Sequence, residues 1–406
     1  MPYPTKKLWE ICEIQNWYAF KSKDYIDFSN TLNFRMSNIR PWGDLNLEHN
    51  KKYLPDNYID KYKNFLLNDW DVVIAMTDMA TNPKILAIPT IIKTDNRKLL
   101  LNQRVWRFKN INESITDLSY LKYILLAPQS RKKLVSMWWW WVQINISTKQ
   151  ILSLKIPLPP LPTQKLIVKK LDLAFKNIDE SIEITKRNLE NIEELNKSVL
   201  EEVFQEEEYE MKTIEEISEK VQYWYTWKTK EKWQYRYLRI TDIQNNNIIW
   251  KNVPFVNIEE KEADKYLLNI WDIVFARTGA TVWKSCLIDK RWIWNIFASY
   301  LIRIVFKLEI TFPNYLQYFF YSNIYWIQVY KDVVWAAQPN FNWTKLKKLK
   351  IPLPPLQKQK EIVEYLDKIF EKNRILKEKY EEKLKDLEEM KQSFLREAFE
   401  NEEFVK

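Results

Sequence analysis

Two long stretches of this chain place apolar residues at a helical period with charges between them. In the first, Leu171, Phe175, Ile178, Ile182, Leu189, Ile192, Val199 and Val203 follow at near-heptad spacing, which predicts a helix with a narrow apolar stripe. In the second, Ile362, Leu366, Ile369, Leu376, Tyr380, Leu387, Met390 and Phe394 do the same, interrupted by Asn373 and Lys383. Each is introduced by prolines, LPPLPTQ and LPPLQKQ, which stiffen the joint and suit the first turn of a helix. A helix of about forty residues is about 60 Å long, and its narrow stripe needs a partner. Short apolar runs after turn residues, VVIAM following Asp71 and IVFA following Asp272, predict strands.

These elements recur. KIPLPPLPTQKLIVKKLDLAF, from Lys155, returns as KIPLPPLQKQKEIVEYLDKIF, from Lys350. Gln164/Gln359, Asp172/Asp367, Phe204/Phe399, Tyr120/Tyr315 and Tyr123/Tyr318 all hold one offset without a gap. Upstream, WDVVIAMTDMATNPK from Trp70 matches WDIVFARTGATVWK from Trp271, and NFRMSNI from Asn33 matches YLRITDI from Tyr237. The chain is therefore an internal duplication. The expected fold class is α+β: mixed, mostly β modules at residues 1–155 and 207–350, alternating with helical spacers at 156–206 and 351–406. A pseudo-two-fold axis would pair the two helices as an antiparallel coiled coil that holds the modules apart like a ruler.

Composition adds an anomaly. Among 406 residues there are 20 Trp and only 2 Gly, although turns and helix ends ordinarily need glycine at about 7% of positions. The tryptophans fall where glycine belongs, in Asn68-Asp69-Trp70-Asp71 and Asn269-Ile270-Trp271-Asp272 ahead of strands, and in the run SMWWWWVQINIS from Ser136. Neither long helix contains one. Core filling does not explain turn positions, and base stacking does not explain four in a row. The reading adopted is that UGA codons meaning glycine were translated as tryptophan, with some residues, Trp250 for instance, left as possible genuine tryptophans.

The net charge of +9 favours an anionic partner. With only Cys12, Cys286 and a single histidine, His49, there is no disulfide framework, no zinc-ligand spacing and little scope for histidine catalysis. Neither an uninterrupted apolar span nor the apolar stretch of a signal peptide is found, so a cytoplasmic location is expected. No Walker-type phosphate loop or Asn-Pro-Pro-aromatic motif is present; Asn82-Pro83-Lys84 reads as a turn.

The order of module, IPLPPLxxQxxIVxxLD helix, second module and second such helix resembles the DNA-specificity subunit of type I restriction-modification systems over essentially the whole chain. Segments such as Gln143-Ile144-Asn145 and Gln338-Pro339-Asn340, preceded by WWWW and WAA, look like the family's Gly-rich stretch followed by Gln and Asn once Trp140 and Trp335 are taken as glycine. The resemblance implies a non-catalytic subunit with two target recognition domains, reading an asymmetric bipartite site in double-stranded DNA. It also implies two methyltransferase subunits carrying S-adenosylmethionine, and nuclease-translocase subunits that use ATP and magnesium; no cofactor is expected on this chain. A recognition portion of a fused restriction-methylation enzyme, and a coiled-coil adaptor without DNA function, are the alternatives. The start of the chain and its charged end speak against the former, the two basic modules against the latter.

Arg and Asn side chains read base edges, while Lys, Ser and Thr more often hold phosphates. On matching segments the candidates are Lys21, Ser22, Arg35, Asn38, Thr77 and Lys84 in the first module, and Lys228, Lys230, Arg239, Thr241, Arg277, Thr278 and Lys284 in the second. Gln143, Asn145, Gln338 and Asn340 are expected to be structural residues at the joints between module and helix. Any one candidate taken alone also suits an ordinary solvated position.

Overall fold

The computed structural model describes residues 3–79, 85–135, 143–205, 209–223, 235–244, 247–249, 251, 253–256, 258–276, 284–291, 293, 295–331 and 343–405. Two compact units form, Met1–Thr185 with Glu382–Lys406, and Lys186–Glu381. Each unit thus holds one module, the beginning of the long helix that follows it and the end of the other.

The first unit contains, in chain order, strands β1 (Thr5–Lys7), β2 (Glu13–Gln15), β3 (Thr31–Phe34), β4 (Tyr53–Leu54), β5 (Leu66–Leu67), β6 (Val72–Ala75), β7 (Thr77–Met79), β8 (Pro89–Ile91), β9 (Lys98–Leu101) and β10 (Val105–Lys109), helix α1 (Leu118–Leu126), strands β11 (Gln143–Asn145) and β12 (Lys155–Pro157), and the start of helix α2 (Leu161–Phe204). Two four-stranded sheets, in the orders β2-β10-β6-β8 and β4-β3-β9-β5, form the body. The run VVIA is buried along its whole length in β6, which explains its unbroken apolar character.

The second unit repeats the plan. It contains β13 (Met211–Thr213), β14 (Ser218–Tyr223), β15 (Tyr235–Leu238), β16 (Ile243–Gln244), β17 (Asn247–Ile248), β18 (Phe255–Val256), β19 (Ile273–Ala276), β20 (Ser285–Leu287), β21 (Ile296–Phe297), β22 (Leu301–Phe306), helix α3 (Pro313–Tyr321), β23 (Lys350–Pro352) and helix α4 (Leu356–Glu400). The sheet β14-β22-β19-β20 corresponds to β2-β10-β6-β8. In both units the strand before the long helix pairs antiparallel with the first strand of its module, β1 with β12 and β13 with β23.

The residues that hold the repeat's offset build the joint between module and helix. Gln164 is buried at the start of α2; its Nε2 donates to Ile115 O (2.7 Å) and Pro159 O (2.7 Å), and its Oε1 accepts from Asp117 N (2.9 Å). Gln359 does the same with Ile310 O (2.8 Å), Pro354 O (2.8 Å) and Phe312 N (2.7 Å). Tyr120 donates to Pro157 O (2.8 Å) and Tyr315 to Pro352 O (2.7 Å), while Tyr123 donates to Asp172 (2.5 Å) and Tyr318 to Asp367 (2.6 Å). Burial drives the hydroxyls of Tyr123 and Tyr318 well above the usual phenol range, reinforced by their carboxylate partners.

Both long helices form as expected, with 44 and 45 residues, and they pair antiparallel. In the first unit Lys391 of α4 meets Asp179 of α2. In the second, Asn373 Nδ2 donates to Asn196 Oδ1 (2.7 Å) and Lys377 pairs with Glu193 (3.1 Å). The seam of α4 departs from the periodic reading. Leu376 and Met390 are exposed, whereas Asn373 and Lys391 are buried. Polar side chains occupy the seam because each finds a partner across it, and the Lys391 ammonium also sits over the Phe175 and Trp42 rings, which stabilise a desolvated cation.

Among the described residues three tryptophans adopt left-handed backbone: Trp42 (φ 69°), Trp70 (φ 71°) and Trp271 (φ 76°). Trp70 and Trp271 occupy identical turns, in which Asp71 N donates to Asn68 O and Asp272 N to Asn269 O, both at 3.2 Å. Trp106 differs. It lies buried in β10 opposite Ile74, as an ordinary core residue. The run Trp138–Trp141 and Trp250 lie outside the described residues.

Behind each turn stands an ion pair, half-buried in the first unit and fully buried in the second. Arg107 Nη1 lies 2.9 Å from Asp71 Oδ2 and Arg303 Nε lies 2.7 Å from Asp272 Oδ2, with Gln15 and Gln222 accepting from the same guanidiniums. Cys12 and Cys286 are both buried, and burial pushes each thiol up to about 12. Among the described residues no cluster of potential metal ligands occurs, and no helix is long and apolar enough to cross a membrane.

Candidate nucleic-acid interface

In the first module several candidates converge on one rim. Strands β3 and β9 run parallel, so the segments leaving them emerge side by side. Asn102, just past β9, is buried; its N–H donates to Phe34 O (3.0 Å) and its Oδ1 accepts from Phe20 N (3.3 Å). Arg35 directly follows Phe34, and Lys21 and Ser22 directly follow Phe20, both exposed. Arg104 O accepts from Met76 N (3.0 Å), which brings the loop against Thr77. Exposed Gln103 and Arg104 therefore belong to this rim, although no glycine, repeat or basic run marks them in the sequence.

The rim sorts the candidates. Asn38 is buried, its Oδ1 accepting from Arg35 N (2.9 Å) and its Nδ2 donating to Asn46 O (3.1 Å) and His49 O (3.2 Å). It shapes the short 3-10 turn Met36–Asn38 and has no spare edge to offer a base. Thr77 is also buried, and its hydroxyl donates to Met36 Sδ (3.4 Å). Gln143–Asn145 form β11, paired antiparallel with β7 so that Asn145 stands opposite Thr77. Their backbone thus runs beside the rim, while the joint to the helix is made by Gln164, Tyr120, Tyr123 and Asp172.

The second module repeats the turn with one change. Arg239 N donates to Asp242 Oδ2 (2.9 Å), as Arg35 N does to Asn38, but the Arg239 side chain also forks onto Asp242, Nε to Oδ2 at 3.1 Å and Nη2 to Oδ1 at 2.9 Å. A carboxylate orients this guanidinium with charge-assisted bonds, whereas Asn38 accepts from the Arg35 backbone N and brings no charge to the side chain. Thr241 is exposed beside it, and Lys284 O accepts from Ala276 N (2.8 Å) at the end of the β19–β20 hairpin. Lys84, Lys228, Lys230, Arg277, Thr278, Gln338 and Asn340 lie outside the described residues.

The geometry defines a duplicated α+β protein whose two modules share a framework and differ at an exposed, basic rim. A family model described as the type I restriction modification DNA specificity domain matches residues 2–194 and 206–385. The chain belongs to that family. It is similar to the type I restriction enzyme MjaVIII specificity subunit of Methanocaldococcus jannaschii, 31% identical over an alignment 203 residues long that covers 47% of this chain and 46% of that protein. The matched region thus spans about half the length of that curated relative. Of solved structures, a chain described under "Structural basis underlying complex assembly and conformational transition of the type I R-M system" superposes with a TM-score of 0.76 at 15% identity, covering 99% of this chain and 98% of that one. The HsdS subunit from Thermoanaerobacter tengcongensis does so with a TM-score of 0.56 at 16% identity, covering 98% and 97%. Both share the fold.

Proposed function

We propose that this chain is the non-catalytic specificity subunit of a type I complex and reads an asymmetric, bipartite DNA site, one module to each half. The observation that carries this is the contrast between the modules: the joints repeat hydrogen bond for hydrogen bond, while Arg35 with Asn38 in one rim becomes Arg239 with Asp242 in the other. Two like frameworks with unlike rims suit two unlike half-sites. In this reading the paired helices set the gap between half-sites. Two methyltransferase subunits, binding S-adenosylmethionine, supply adenine methylation, and nuclease-translocase subunits using ATP and magnesium supply cleavage.

Sequencing of methylated adenine in the source cell tests the reading. A split motif with a fixed gap, lost when this gene is disrupted, is expected; no gene-dependent motif would sink it. The docking part is separately testable. Leu173 and Ile184 are exposed on one face of α2, away from the buried stripe, and suit the apolar core of an interface. Leu173→Glu with Ile184→Glu should leave the subunit folded and abolish co-purification of the methyltransferase. Retained co-purification would place the docking surface elsewhere.

A further inference from the structure

The loop from Asn102 to Arg104 is held by four contacts. Asn102 is fixed to Phe34 and Phe20, as described, and pairs in an isolated parallel bridge with Tyr18. Arg104 O is fixed to Met76 N. The backbone is thus tied to three neighbouring segments, yet the side chains of Gln103 and Arg104 are exposed. Arg104 adopts φ 72°, a left-handed conformation that glycine or asparagine would take with little or no penalty and that costs an arginine. Among the described residues no acidic group or hydrogen-bond acceptor engages its guanidinium, and the same holds for Arg35. A strained, anchored position that carries a long cation with no partner among the described residues has sacrificed local stability for what that side chain reaches.

We propose that Arg104 reads a guanine in the half-site of the first module, with Arg35 flanking it, and that Asn102 positions the loop. The inference rests on the DNA-reading function proposed above and names the residue through which one module acts. Arginine suits the task because its planar fork matches guanine O6 and N7 bidentately in the major groove. The second module does not repeat the device. Arg107 and Arg303 occupy the same place in the two modules, each paired with the aspartate of its turn, so the residue three positions before Arg303, the exposed Tyr300, stands where Arg104 does. Ala298 N donates to Leu238 O (2.8 Å) there, as Asn102 N does to Phe34 O. Equivalent loops therefore present an arginine in one half and a tyrosine in the other, and the two half-sites differ at the base pair that each loop faces.

The test is methylated-adenine sequencing of cells carrying the full-length gene with its partner genes, wild type or Arg104→Asn. Asparagine keeps the left-handed turn, so the variant should unfold at or above the wild-type temperature, which separates misfolding from lost reading. The expected result is a motif that becomes degenerate at one position of one half-site, with discrimination there falling about 10- to 100-fold and the other half-site unchanged. Arg104→Lys should also lose discrimination while retaining charge. An unchanged motif in Arg104→Asn overturns the proposal. So does a uniform loss of affinity with a shallower salt dependence and no change of motif, which marks a phosphate contact. A wild type that yields no split motif overturns the DNA-reading function itself, and the Arg104 proposal with it.

Discussion

Replacing Trp70 and Trp271 by glycine should stabilise both units, while the same change at Trp106 should damage the first. Trp70 and Trp271 hold φ values of 71° and 76° in equivalent turns, where a side chain with a Cβ costs about 1–2 kcal/mol. Glycine removes that strain but adds about 0.4–1 kcal/mol of freedom to the unfolded chain. Trp70 is largely exposed, at 62%, so little packing is lost there and the net gain is about 1 kcal/mol; Trp271, at 36%, loses some packing and gains less. The two sites lie in different units, so the gains should add. Trp106 is buried at 4% exposure inside β10, and Trp106→Gly should cost at least the roughly 3–5 kcal/mol of a large-to-small core change. Denaturant unfolding of the three variants measures both signs.

That opposition of signs bears on the unusual composition. We propose that the native residue at Trp42, Trp70 and Trp271 is glycine, encoded by UGA and read as tryptophan in translation, whereas Trp106 is genuine. The left-handed backbone at the three former positions supports this. Gly43, next to Trp42, shows how tight such a place is: a Cβ there would meet Pro89 O at 2.3 Å. Mass spectrometry of the protein from its source cell should find glycine at Trp70 and Trp271 and tryptophan at Trp106. Tryptophan at all of them would refute the recoding, as would destabilised glycine variants at the two turns.

The parts of the fold that were legible in the sequence are those carried by local pattern or by repetition. The long helices follow from apolar spacing, and the joint could be located from the duplicated Gln164/Gln359 and Tyr120/Tyr315 pairs, although their hydrogen bonds to backbone carbonyls could not. The antiparallel strand pairing of β1 with β12 was illegible because it joins segments far apart in sequence. In α4 periodicity points to Leu376 and Met390 as seam positions, whereas the seam there uses partnered polar residues, Asn373 and Lys391. The rim was only half legible. Arg35 showed through the repeat, but Arg104 did not, because a left-handed turn is recognised in sequence by its glycine or asparagine and here carries arginine.

Arg303→Met should be the most destabilising of these substitutions in the second unit. Arg303 and Asp272 are both almost fully buried, with side chains 5% and 2% exposed and 2.7 Å apart. Burial already pushes the Asp272 carboxyl above its usual range, and Arg303 is the strongest influence drawing it back. Removing the cation strands a buried carboxylate, at a cost of about 3–5 kcal/mol. The sign of the pH dependence follows. Without Arg303 the folded-state pKa of Asp272 rises further above its unfolded value, so the variant is least impaired where the group is protonated in both states. Its deficit deepens as pH rises from the unfolded value through the raised folded one. Arg303→Met with Asp272→Asn should recover much of the loss and flatten the profile, because asparagine can still accept from Asn269 N, the bond that Asp272 makes at 2.6 Å, without a charge to strand. The equivalent change at Arg107 should cost less, since Asp71 is 21% exposed and water screens part of its charge. Unfolding of the single and double variants between mildly acid and mildly alkaline pH checks this, and a pH-independent deficit in Arg303→Met would show that lost packing, not a stranded charge, is what that arginine prevents.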